Sequence, residues 1–184
     1  SFLDWRKQTY PLWMEPADIY GSLNLGTNVA YCQALRVTGM MARELGREDN
    51  WSERAEELGE KINNHLWLEE KGYYGQYLYG RRYRTVSPRA EALGESFSVL
   101  FGIADGDRSL RVLQNTPVTP YGITCIYPQI PGIPPYHNNG IWPFVQAFWT
   151  MANAQKRQVE AVEAGLASIL RPAALFLTNK ENFV

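Results

Sequence analysis

Ile141-Trp142-Pro143-Phe144-Val145-Gln146-Ala147-Phe148-Trp149-Thr150-Met151-Ala152-Asn153 has the length and composition of a helix, with apolar residues on nearly every side. A helix apolar all round is predicted to lie inside a larger set of helices, not on a surface. Directly before it stands Tyr136-His137-Asn138-Asn139-Gly140. His137, Asn138 and Asn139 gather donors and acceptors at a helix N-terminus. One asparagine is enough to cap a helix, so the surplus suits recognition of hydroxyl groups.

Outward from this helix the pattern is one of pairs. Downstream, Val159, Val162, Leu166 and Ile169 form one stripe of a helix over 156–170. Upstream, residues 115–139 contain Pro117, Pro120, Pro128, Pro131, Pro134 and Pro135, the composition of a long structured loop. A short helix is predicted over 106–113. Ser87 and Pro88 read as the N-cap and first residue of another, with Leu93, Phe97, Leu100 and Phe101 on its apolar stripe. Glu91, Glu95 and Ser98 share its opposite face, which reads as a solvated surface. In a closed ring of helices the same face would line a wet central cavity. The glycine-flanked, aromatic stretch 72–80 predicts a short strand or hairpin arm. Asn50 and Glu53 propose a capping box for a helix whose stripe is Trp51, Ala55, Leu58, Ile62 and Leu66. Tyr31, Ala34, Leu35, Thr38, Met41, Ala42 and Leu45 mark a helix over 25–45, stopped by Gly46. Residues 1–24 are irregular, broken by Pro11, Pro16 and Gly21.

These elements predict an all-α single domain over 1–184, built of three helical hairpins joined by aromatic loops. Hairpins of this size stack into solenoids or close into toroids. No fixed-period consensus is present, and the loops are long and unlike one another, which favours a segment of a toroid.

Composition narrows the function. A net charge of −1 provides no electrostatic footprint for nucleic acid. No run of about 18 apolar residues predicts a membrane span. Cys32, Cys125, His65 and His137 are isolated and lack metal-ligand spacing, so neither a metal nor an organic cofactor is implied. Aromatic residues make up 13% of the chain, with six Trp and eleven Tyr, many in loops beside Pro, Gly and Asn. Flat rings with polar tips suit the faces and hydroxyls of sugars, and equally suit packing of loops onto a domain. Asp4 lies among Phe2, Leu3 and Trp5. Apolar surroundings would raise its pKa and keep it protonated as a general acid, whereas a direct pair with Arg6 would oppose this.

Three segments resemble the six-hairpin glycosidases, in particular the branch of family 63 α-glucosidases and family 37 trehalases. Ser1-Phe2-Leu3-Asp4 is similar to that family's Ser-Gly-hydrophobic-Asp motif, with Phe2 at the glycine position. Lys71-Gly72-Tyr73-Tyr74 resembles its glycine-aromatic hairpin. Tyr136 to Pro143 resembles its Tyr-Trp-Arg-Gly-Pro-Ile-Trp-Pro segment, with His137-Asn138-Asn139-Gly140 in the middle. The resemblance implies about half of an (α/α)6 toroid, completed by further segments. It implies Asp4 as the general acid. It implies a catalytic base after the Ile-Trp-Pro helix, for which Glu181 is the candidate here unless the base lies beyond Val184. Trp5, Arg6, Tyr136, His137, Asn138 and Trp142 would then line the sugar pocket.

The function expected is that of an inverting glycoside hydrolase acting on oligo- or polysaccharides, with carboxyls roughly 6.5–9.5 Å apart. Two rivals remain. A noncatalytic helical-repeat binding module would form an open superhelix with Asp4 exposed. A lyase or phosphorylase would use the same toroid with a different proton abstractor.

Overall fold

The computed structural model describes residues 10–184; Asp4, Trp5 and Arg6 lie outside the described residues. The helices are α1 (Pro16–Tyr20), α2 (Leu25–Glu44), α3 (Ser52–Leu66), α4 (Ala92–Leu100), α5 (Gly106–Asn115), α6 (Pro143–Gln155) and α7 (Val159–Phe176). Between them run short strands: β1 (Leu23–Asn24), β2 (Trp67–Leu68), β3 (Tyr73–Tyr74), β4 (Tyr77–Tyr79), β5 (Thr85–Val86), β6 (Ala90–Glu91) and β7 (Ile126–Tyr127). The strands form three small antiparallel sheets, ordered β1-β4-β5, β2-β3 and β6-β7. The all-α expectation is therefore corrected to helices with small sheets. No helix among the described residues is long and apolar enough to cross a membrane.

α2, α4 and α6 pack side by side in one row. Phe97 of α4 meets Phe148 of α6 edge to face at 5.0 Å. The starts of all three helices lie around one pocket, so the three run in the same direction. α3 backs α2, α5 backs α4 and α7 backs α6. The main core lies between the rows, with Leu25, Val29, Cys32 and Leu35 from α2, Ala55 and Ile62 from α3, Val99 and Val112, and Val145 and Trp149 from α6. Each large side chain buried here contributes roughly 1.5–3 kcal/mol by removal from water.

Four local expectations are revised. The α2 stripe Tyr31, Thr38, Met41 and Leu45 faces solvent, with Tyr31 50% and Met41 59% exposed. The buried stripe is Leu25, Val29, Cys32, Leu35 and Gly39, because α3 and α4 occupy only one of two apolar faces. α3 is capped by Asp49, not Asn50: its Oδ1 accepts from Trp51 N and Ser52 N, both at 3.0 Å. Arg43 pairs with Asp49 there, and Gly39 leaves space for it, since a Cβ would stand 2.6 Å from Oδ1. The bond from Ser52 Oγ and the two amide bonds lower its pKa to about 2.

The α4 helix begins at Ala92, not at Ser87. Ser87 N donates to Tyr77 O, Arg89 O accepts from Gln76 N, and Ala90–Glu91 pairs with β7. Pairing with distant chain thus outweighs a local capping signal. Likewise 72–80 is not one hairpin. β3 pairs with β2, and β4 pairs with β1 and β5. The chain changes sheets at Gly75, where a Cβ would lie 2.1 Å from Val86 Cγ1 and 2.7 Å from Ser87 O. Only glycine permits that approach.

Candidate functional site

The N-terminal ends of α2, α4 and α6 open onto one pocket of about 610 Å³. Asn24 and Thr27 contribute from the start of α2, Glu91 and Leu93 from the start of α4, and Trp142 and Val145 from the start of α6. Gln76, Cys125, Tyr136, His137 and Glu181 complete the wall. Free amide groups and partial positive charge collect at helix N-termini, so such an end attracts oxygen-rich or anionic groups.

Each end is finished differently. At α2, Asn24 Oδ1 accepts from Thr27 N at 3.0 Å, while Leu25 N donates to Gln76 O at 2.9 Å. At α4, the Glu91 carboxyl accepts from Leu93 N at 3.1 Å and from Gly94 N at 2.8 Å. At α6, Pro143 occupies the first turn and has no N–H to satisfy. Glycines let the first two ends meet. A Cβ on Gly94 would stand 2.6 Å from Glu91 Oε2 and 2.9 Å from Gly26 N. The α2 and α4 turns therefore touch backbone to backbone, with the Glu91 carboxyl beside the contact.

Burial pushes the Glu91 carboxyl up to about 7, against the two amide bonds that favour its charged form. One turn on, Glu95 is fully buried. Its Oε1 accepts from Tyr74 N at 3.0 Å, and its Oε2 has no partner. Burial pushes its carboxyl well above the usual range, and the nearby Glu91 charge adds to this. The Cys125 thiol is pushed up by burial and by the same charge.

Tyr136, His137 and Trp142 form an aromatic wall. Tyr136 and Trp142 meet edge to face at 5.0 Å, and His137 lies 4.8 Å from Trp142. Trp142 Nε1 donates to Tyr136 O at 3.1 Å. Tyr136 has φ of 148°, a conformation uncommon for a bulky residue and of the kind found at functional sites. The C-terminal segment reaches this wall because Ile141 and Phe183 exchange backbone hydrogen bonds of 2.8 and 2.9 Å. Tyr136 Oη thereby donates to Glu181 Oε2 at 3.3 Å.

Four of the residues singled out from sequence thus share the pocket: Tyr136, His137, Trp142 and Glu181. Asn138 sits behind the wall, fully buried. Its amide donates to Ile130 O and Ile133 O and accepts from Ile130 N, so it pins the proline-rich loop, while the neighbouring His137 faces the pocket. Asp4, Trp5 and Arg6 fall outside the described residues. The 10–14 and 128–133 stretches do meet, since Leu12, Trp13, Ile130 and Pro131 line a second pocket of about 450 Å³.

Sequence reasoning undervalued Glu91 and Glu95 and passed over Asn24 and Gln76. The face read as solvated is buried: Glu95 and Ser98 have no exposed surface. A usable signal was present in the parallel segments Asn24-Leu25-Gly26 and Glu91-Ala92-Leu93-Gly94. Each places an oxygen-bearing cap and a small residue at the start of a helix.

No protein-family model and no curated protein matches the chain. Solved structures do. An uncharacterized conserved protein from Thermus thermophilus superposes with a TM-score of 0.66 at 18% identity, over 87% of this chain and 43% of that one. A GH63 mannosylglycerate hydrolase from the same organism, in complex with Tris, superposes with a TM-score of 0.65 at 16% identity, over 87% of this chain and 41% of that one. The likeness shows a shared fold. The chain spans less than half the length of either protein.

Proposed function

We propose that this chain is part of a glycoside hydrolase of the six-hairpin, (α/α)6-toroid type, and that the pocket at the N-terminal ends of α2, α4 and α6 receives the sugar. The observation that carries the reading is the composition of that pocket: an aromatic wall of Tyr136, His137 and Trp142 facing carboxyl groups, in a fold shared with a family 63 hydrolase. Aromatic faces cover the apolar side of a sugar ring, and carboxyls do the proton work. Further hairpins complete the ring, which agrees with the 41–43% coverage of the two structural neighbours.

The proposed reaction is inverting hydrolysis. Asp4 protonates the glycosidic oxygen as the bond from that oxygen to the anomeric carbon breaks. Glu181 takes a proton from water, whose oxygen bonds to the anomeric carbon from the opposite face. The products are a free hydroxyl and a sugar of inverted anomeric configuration. The test is activity of the full-length protein on a glycoside panel, with the anomer of the fresh product followed by NMR. Asp4→Asn and Glu181→Gln are each expected to lower turnover of an unactivated glycoside by about 10²–10⁴-fold. A substrate with a very good leaving group needs little protonation, so Asp4→Asn should slow it far less. Full activity of both variants would overturn the assignment, and a retained anomeric configuration would overturn inversion.

A further inference from the structure

Glu181 lines the pocket from a segment that lies beyond α7 and outside every helix and strand. Two links bring it there. Ile141 and Phe183 exchange backbone bonds of 2.8 and 2.9 Å, and Tyr136 Oη donates to Glu181 Oε2 at 3.3 Å. Among the described residues, Tyr136 is the one side chain bonded to this carboxyl, and no Lys or Arg pairs with it. The backbone bridge fixes where the chain runs. It does not fix where a carboxyl two residues away points, because a glutamate side chain turns about several bonds. The tyrosine hydroxyl supplies that second constraint.

Tyr136 is itself a fixed arm. Its carbonyl accepts from Gly140 N at 3.0 Å and from Trp142 Nε1 at 3.1 Å. Its ring packs on His137 at 4.5 Å and on Trp142 at 5.0 Å. A φ of 148° persists in a bulky residue where such contacts over-determine it. At Gly140 an added Cβ would stand 2.1 Å from Tyr136 O, so the turn that closes on this carbonyl needs glycine. Three consecutive residues thus hold both links: Gly140 and Trp142 hold Tyr136, and Ile141 holds Phe183. One turn fixes both the hydroxyl and the chain that carries the carboxyl.

We infer, on the reading of Glu181 as the base, that Tyr136 is its positioning residue. The hydroxyl donates to Oε2 and leaves Oε1 to take a proton from the attacking water, while the water oxygen bonds to the anomeric carbon. Tyr136 keeps its own proton throughout and touches neither the water nor the bond that breaks. A base free to swing spends most of its time out of place, and a displacement of about 1 Å at a reacting group can cost on the order of 10²-fold in rate.

The test is steady-state kinetics of the full-length protein on an aryl glycoside with a good leaving group, so that the water step carries the weight. Tyr136→Phe keeps the ring and removes the hydroxyl. Its kcat should fall about 10–100-fold, with KM within about 3-fold of the parent value. In a Glu181→Gln background the same change should alter kcat by less than about 2-fold, because the hydroxyl acts only through the carboxylate. Equal losses in the two backgrounds, a rise in KM at unchanged kcat, or full activity of Tyr136→Phe would each overturn the assignment. Should Tyr136→Phe fail to fold, Phe183→Pro removes the N–H that donates to Ile141 O and loosens the same carboxyl from its other link. Its kcat should also fall at unchanged KM, and an undiminished kcat would overturn the assignment. Full activity of Glu181→Gln overturns the base and the role of Tyr136 together. If the parent protein turns over no glycoside, the glycosidase reading fails by itself, and crystal structures of the parent and Tyr136→Phe decide the rest. A Glu181 carboxyl displaced in the variant would support Tyr136 as the group that holds it; a carboxyl in the same place in both would overturn that role.

Discussion

α4 and α7 both pack against α6, yet α4 encloses polar side chains while α7 leaves apolar ones exposed. α4 encloses Glu95, Ser96 and Ser98 with no exposed surface. α7 buries only Gly165, and leaves Leu170 62%, Leu175 78% and Phe176 56% exposed. The difference follows from position. α4 is in the middle of its row, between α2 and α6, with α5 behind it. α7 is at the margin, as is the outward face of α2 with Tyr31, Met40 and Met41. Polar groups inside the centre stand where the proposed reaction would take place. Apolar groups outside the margin mark where a neighbour is wanting. Our proposal that further hairpins complete a ring gives both margins a neighbour.

The sharpest test of this contrast is a pair of truncations. Trp149 on α6 is buried in the main core, and Trp149→Ala should cost roughly 3–5 kcal/mol in urea unfolding. Leu170→Ala on α7 should stay within about 0.5 kcal/mol in the same chain. Similar costs at the two sites would erase the distinction between centre and margin. A smaller effect is expected where α2 meets α4. Gly94→Ala introduces a methyl against Gly26 N and Leu25 Cδ2, each at 2.9 Å, and should cost about 1–3 kcal/mol. A neutral result would mean that the two helix ends are free to move apart.

The same contrast explains what could be read in the sequence. The helices over 25–45, 50–66, 106–113 and 141–153 were legible because periodicity and caps are local. The pairing of helices was legible from their spacing. Which face of α2 is buried was not, because Leu25-Val29-Cys32-Leu35 and Tyr31-Met41-Leu45 are both helical stripes, and only the number of neighbours separates them. The start of α4 was misread for a related reason: Ser87-Pro88 has the chemistry of a cap, but distant strands claim that stretch. At the pocket, the cluster Tyr136-His137-Trp142 was legible as an aromatic and polar surplus at a helix start. Asn138 was indistinguishable from it by composition, although its amide is consumed by the loop. Glu91 was hidden because a glutamate on a helix face looks solvated until the helices on either side of it are known.

Acidity distinguishes the centre again. Glu91 has a folded pKa of about 7 and an ordinary value of 4.5, and Glu95 is raised in the same direction. The folded protein thus binds more protons than the unfolded chain in this range. Stability should be greatest near pH 4.5 and fall as pH rises through about 7. Asp49, lowered from 3.8 to about 2, acts in a separate window, losing its contribution as pH falls from 3.8 towards 2. Urea midpoints across pH should show the upper limb flatten in Glu91→Gln. An unchanged limb in that variant would remove Glu91 as its source. The smallest stability change is expected from Met41→Lys combined with Leu170→Lys, both on exposed margins. Sedimentation should nevertheless show less self-association of the isolated chain than with the apolar margins intact; equal association would show that those margins attract nothing.

The central claim is that a sugar occupies the pocket where α2, α4 and α6 begin. The most direct measurement is a crystal structure of the protein soaked with the monosaccharide that it binds best. The account predicts one sugar ring against Tyr136 and Trp142, with hydroxyls towards the Glu91 and Glu181 carboxyls. A sugar bound elsewhere, with this pocket empty, would contradict it.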